Sequence, residues 1–82
     1  MTEMDQEYGN INPAKVLMHE AFNEVLRLMR SEPTDQLSYL LGRFDAYLMM
    51  SDTLGILNSD EVKVLNARRD AIPAERAASG LD

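Results

Sequence analysis

Between Pro13 and Ser31, the apolar residues Ala14, Leu17, Met18, Ala21, Phe22, Val25, Leu26, Leu28 and Met29 recur at steps of three and four. At about 100° per residue they fill one half of a helix, and His19, Glu20, Asn23, Glu24, Arg27 and Arg30 fill the other. Only Val16 lies off the apolar half. Its place is explained by a hydrophobic staple with Ile11, which brackets the helix start. Asn12 suits the N-cap, because its side-chain oxygen can accept an unpaired first-turn N–H. Pro13 suits the next position, where a missing N–H costs nothing.

The stretch "SEPTD" interrupts this pattern. Pro33 disfavours helical backbone at Glu32, and Thr34 or Asp35 offers a cap for a second helix, expected from about Asp35 to Leu54. The short connection predicts an antiparallel hairpin. Along the second helix, Leu37, Leu40, Leu41, Phe44, Tyr47, Leu48 and Leu54 form one apolar arc, broken only by Ser51. A second arc of Tyr39, Gly42, Ala46, Met49, Met50 and Thr53 lies roughly opposite. Ser38, Asp45 and Asp52 separate the arcs on one side, and Arg43 on the other. A helix that is apolar on two sides calls for burial on two sides.

Gly55 can end the second helix in the left-handed conformation. "LNSDEV" then starts a third, with Asn58 as cap, Glu61 completing a capping box, and Leu57 and Val62 placed as a staple. Its stripe is thin: Val62, Leu65 and Ile72, with Val64, Ala67 and Ala71 to one side. Arg69 falls within that stripe, so its stem covers apolar surface while its head seeks an acid. Arg68 or Arg69 can reach the Asp45–Asp52 strip. Pro73 is expected to end or kink the helix. The pattern therefore predicts an acidic arm over 1–11, a three-helix domain over 12–73, and a tail over 74–82 with at most one helical turn. The fold class is all-α: a helical hairpin plus a shorter third helix, dimerising through helix two.

Length sharpens that reading. A chain of 82 residues buries only ~60% of the surface it exposes when unfolded, so its core is marginal without support. The usual support is disulfides, a structural metal or oligomerisation; with no cysteine, disulfides and thiolate zinc sites are excluded. Gly42 and Ala46, four apart, allow another helix to approach closely. Met49 and Met50 are adaptable fillers of the kind found at binding surfaces. The expected interface is Tyr39, Gly42, Ala46, Met49, Met50 and Thr53, in a homodimer or against another protein. The alternative is a monomer whose third helix covers the second arc.

Charge narrows the partners. Fourteen acids against eight Lys and Arg leave a net charge of −6, and no third of the chain is net basic. Nucleic-acid binding depends on a concentrated positive face, so it is disfavoured. Two other readings of the acidity are solubility and mimicry of a phosphate backbone. No apolar run approaches the ~20 residues of a membrane span, and "MTEMDQEYGN" lacks the apolar core of a secretory signal. A cytoplasmic protein is expected.

Candidate chemistry is sparse. The single histidine, His19, borders the apolar face of the first helix, and no strained nucleophile turn surrounds any serine. Glu20 and Glu24 share a face, but Arg27 stands ready to pair with Glu24. Asp45 and Asp52 lie seven apart, roughly 10 Å along a helix axis, with no acid–base partner. No catalytic, cofactor-binding or metal-ligating residue is expected. The segment "YLMMSDTLGILNSDEVKVLNARRD" resembles helix-turn-helix segments in its glycine at a turn between helices. Aligned on Gly55, Glu61 takes a position that normally packs inward, and Val62 falls one place late. The helix that follows offers Lys63, Asn66, Arg68 and Arg69, alongside Asp60, Glu61 and Asp70. The resemblance implies a DNA-binding regulator. Against it stand a non-enzymatic helical adaptor acting through helix two, the first expectation, and an acidic inhibitor of a nucleic-acid-binding protein.

Overall fold

The computed structural model describes residues 12–81, which form three α-helices and one 3-10 turn, with no strand among them. The arm expected over 1–11, and with it the Ile11 half of the staple, lies outside the described residues. Helix α1 spans Pro13–Ser31, α2 spans Leu37–Leu54 and α3 spans Ser59–Ala78.

The helix starts and stops follow the local chemistry. Asn12 caps α1, accepting from the backbone N–H of Ala14 at 2.9 Å and of Lys15 at 3.4 Å. Before Pro33, Glu32 turns extended (φ −81°, ψ 155°) and α1 ends. Gly55 adopts φ 65°, and the N–H of Ile56 returns to Ser51 O at 2.9 Å, closing α2 in a Schellman motif. Asn58 and Glu61 form the expected capping box: the Glu61 N–H donates to Asn58 Oδ1 at 2.8 Å, and the Asn58 N–H to Glu61 Oε1 at 2.9 Å.

The start of α2 differs from expectation. Neither Thr34 nor Asp35 caps it; Thr34–Gln36 forms a 3-10 turn, and α2 begins without a side-chain cap. Thr34 is engaged elsewhere, its hydroxyl accepting from Arg76 Nη2 at 3.1 Å.

The pairing directions follow from which residues meet. Met29 and Leu37 line one cavity, while Leu17 and Met50 line another. The end of α1 therefore meets the start of α2, which makes the expected antiparallel hairpin. Lys15 pairs with Glu61, Asn23 with Arg68 and Arg30 with Glu75, so α3 runs parallel to α1. Helix α1 makes the extensive contacts with both neighbours and supplies most of the core: Met18, Phe22, Val25, Leu26 and Met29. Leu40 and Phe44 join from α2, and Leu65 and Ile72 from α3. Phe22 meets Phe44 and Tyr47 edge-on, with ring centroids 5.2 and 5.7 Å away.

The third helix is not shorter. It runs 20 residues against 19 for α1 and 18 for α2, straight through Pro73. Residues 74–78 continue it, where a separate tail was expected. Proline inside a helix removes one hydrogen bond and crowds the carbonyl four residues back. Tertiary contacts on both sides hold the helix together here: Ile72 is buried before Pro73, and Arg76 is 1% exposed after it. The Arg76 guanidinium donates to Met29 O at 2.9 Å and to Glu32 O at 2.6 Å, satisfying carbonyls at the C-terminus of α1.

Candidate protein-interaction surface

Helix α2 buries one side and leaves the other bare. Leu40, Phe44 and Ser51 are buried, and Leu37, Tyr47 and Leu48 are half-buried. On the opposite side Tyr39, Gly42, Ala46, Met49, Met50 and Thr53 are all exposed, Tyr39 at 64% and Met49 at 71%. Helix α3 therefore does not cover the second arc within one chain. A Cβ placed on Gly42 would meet nothing within 4 Å. Glycine inside a helix costs ~1 kcal/mol relative to alanine, and among the described residues none makes use of the space it leaves.

The arc has charged edges. Asp45 and Asp52 border one side, where Arg69 Nη1 of α3 comes to 3.5 Å from Asp45 Oδ1. The same guanidinium lies 5.3 Å from the centre of the Phe44 ring, as expected of an arginine whose stem covers the core. Arg43 borders the other side. It donates to the Tyr47 hydroxyl at 2.8 Å and sits 5.8 Å from the Tyr39 and Tyr47 ring centres. The Tyr47 hydrogen bond, above all, raises the Arg43 pKa.

A second feature adjoins the arc and was not foreseen. Ala14, Leu17, Met18, Ala21, Tyr47, Met50 and Ile56 line an apolar groove of about 270 Å³ between α1 and the C-terminal half of α2. Leu17 belongs to the expected core half of α1, yet it is 66% exposed. The reason is its position at the margin of that half: it lines the open groove beside α2 and is not buried by it. Leu54, placed in the buried arc of helix two, is 64% exposed as well. The apolar surface thus runs unbroken from Leu17 across Met50 to Met49. The marginal position of Leu17 was the only sequence signal for the groove.

The polar residues form structural pairs. Glu61 accepts from Lys15 Nζ at 3.0 Å and lies 3.3 Å from His19 Nε2, joining α3 to α1. Its pKa falls to about 2, chiefly through the Asn58 N–H and then the Lys15 and His19 contacts. Glu24 pairs with Arg27 at 2.7 Å, and that hydrogen bond lowers its pKa. Among the described residues, no group of three or more acids and histidines is placed to hold a metal ion. No helix among them is long and apolar enough to cross a membrane. Of the residues carrying the helix-turn-helix resemblance, Arg68 donates to Asn23 Oδ1 at 2.9 Å and Arg69 is held between Asp45 and Asp70.

Fold and surface together define an all-α three-helix arrangement with one apolar face of α2 left exposed among the described residues. Comparison with protein-family models, curated proteins and solved structures gives no match for this chain.

Proposed function

We propose that this chain is a small non-enzymatic interaction protein, an adaptor or regulator, that works through the apolar face of α2. The observation carrying this reading is the exposure of six neighbouring residues, Tyr39 to Thr53, on a helix whose other side is already in the core. An uncharged face of this kind, bordered by charged edges, has the make-up of a protein interface. The partner in this reading is a second copy of the chain, since two-fold self-association is the commonest oligomer. The absence of cysteine suits action in a reducing compartment, the cytoplasm.

The test is Ala46→Arg. Residue 46 is exposed, so the variant should keep its helical circular dichroism while losing association in sedimentation and its partners in pull-down. A variant that folds and still associates like the wild type would defeat the reading.

A further inference from the structure

The apolar groove between α1 and the C-terminal half of α2 has Ala14 and Ile56 at one end and Ala21 and Tyr47 at the other, with Leu17 and Met50 between. Leu17 is 66% exposed on one wall and Met50 48% on the other. An apolar cavity of ~150 Å³ holds one benzene ring, so the groove's 270 Å³ has room for a phenol ring and a thioether chain. Its near end adjoins Asn12, where the preceding chain enters α1. We infer that this chain closes the groove itself: residues 3–8 fold back along α1 and lay Tyr8 and Met4 over Leu17 and Met50. The inference does not depend on the second copy proposed above, because Tyr39, Gly42, Ala46, Met49 and Thr53 lie outside the groove.

Residues 3–8 read Glu-Met-Asp-Gln-Glu-Tyr. Successive side chains of an extended segment point to opposite sides, so Met4, Gln6 and Tyr8 share one side and Glu3, Asp5 and Glu7 the other. Met4 and Tyr8 then stand about 13 Å apart, against about 10 Å of α1 from Ala14 to Ala21. Gly9 and Asn10, which favour turns, carry the chain from the start of α1 round to the groove. With Tyr8 at the Ala14 end, Met4 reaches Ala21 and Tyr47, and the three acids stay in water. The charges around the groove agree. At about 100° per residue, Arg43 lies on the side of α2 that carries Tyr47 and Met50, while Asp45 and Asp52 face away. The Arg43 guanidinium is 2.8 Å from the Tyr47 hydroxyl, at the end of the groove where Glu3 and Asp5 arrive. On the α1 flank, Glu24 is held by Arg27 at 2.7 Å, and Glu20 is exposed to water. The tether at Asn12 makes the contact intramolecular, so a surface too small to hold a separate protein is sufficient.

The chain has no cysteine, so an introduced pair can report the contact. Gln6→Cys keeps both anchors and falls over the middle of the groove, opposite Met50→Cys. Lys15 is level with Glu61, so Val64 of α3, 59% exposed, lies within similar reach of Asn12 but away from the groove. Gln6→Cys with Val64→Cys therefore sets the background. Under mild oxidation at low micromolar protein, the 6–50 disulfide within one chain should form at least tenfold faster than the 6–64 disulfide. Without any cysteine, Met4→Ser and Tyr8→Ser together should shift the methyl NMR signals of Leu17 and Met50 and leave those of Leu65 and Ile72, in the core, in place. Equal rates for the two cysteine pairs, or unmoved Leu17 and Met50 signals, would overturn the inference. A 6–50 disulfide formed only between two chains would overturn it as well, and would give the groove to a second copy.

Discussion

Arg76 Nη1 lies 2.9 Å from the carbonyl oxygen of Met29 and 2.6 Å from that of Glu32, tying the far end of α3 to the last turn of α1. The guanidinium is buried, and its fixed fork of donors reaches Thr34 Oγ1 as well. Replacing Arg76 with Ala leaves buried carbonyls without donors and opens a void. The loss should be about 3 kcal/mol or more. Urea denaturation measures it, and Arg76→Lys should recover only part of it, because one ammonium cannot reproduce the fork.

Ser51 predicts a change in the other direction. Its side chain is 1% exposed, and its hydroxyl has no hydrogen-bond partner among the described residues. A buried unpaired hydroxyl costs free energy, and alanine is the better helix former. Ser51→Ala should therefore stabilise the protein by about 1 kcal/mol, read as a higher denaturant midpoint at unchanged slope.

Glu61 sets an acid limit. Its folded pKa of about 2 lies below the ordinary value of 4.5. Its contribution to stability is therefore complete above pH 4.5 and is lost as pH falls from there toward 2. Glu61→Gln keeps an acceptor for the Asn58 N–H but cannot titrate. The melting temperature of the variant should fall less steeply than that of the wild type between pH 4.5 and 2.

Gly42 separates the stability of the monomer from that of the dimer. Alanine there meets nothing within 4 Å among the described residues and should stabilise an isolated protomer by up to ~1 kcal/mol. In the proposed dimer through this face it would take space left for the partner helix. Gly42→Ala should raise the melting temperature at low protein concentration and weaken association in sedimentation equilibrium.

Duplex DNA should not bind tightly at ~150 mM salt, because the chain is net acidic and Arg68 and Arg69 are engaged within it. A mobility shift at nanomolar protein with steep salt dependence would revive the helix-turn-helix reading.

The local devices were legible in the sequence because each depends on a few neighbouring residues. Asn12 with Pro13, Pro33, Gly55, and Asn58 with Glu61 mark helix ends through backbone geometry and hydrogen bonds spanning six residues or fewer. The two-sided character of helix two was legible as well, since it needs only the helical period. What lay beyond the sequence was decided by contacts between distant residues. Pro73 reads locally as a stop, yet α3 continues because Ile72 and Arg76 are fixed against α1, Arg76 through a partner 47 positions away. Leu17 reads as core, yet it is exposed because it lines the open groove beside α2 and is not buried by it. Periodicity tells which side of a helix is apolar. How much of that side is buried depends on where the neighbouring helices come to rest, and that is a property of three helices packed together.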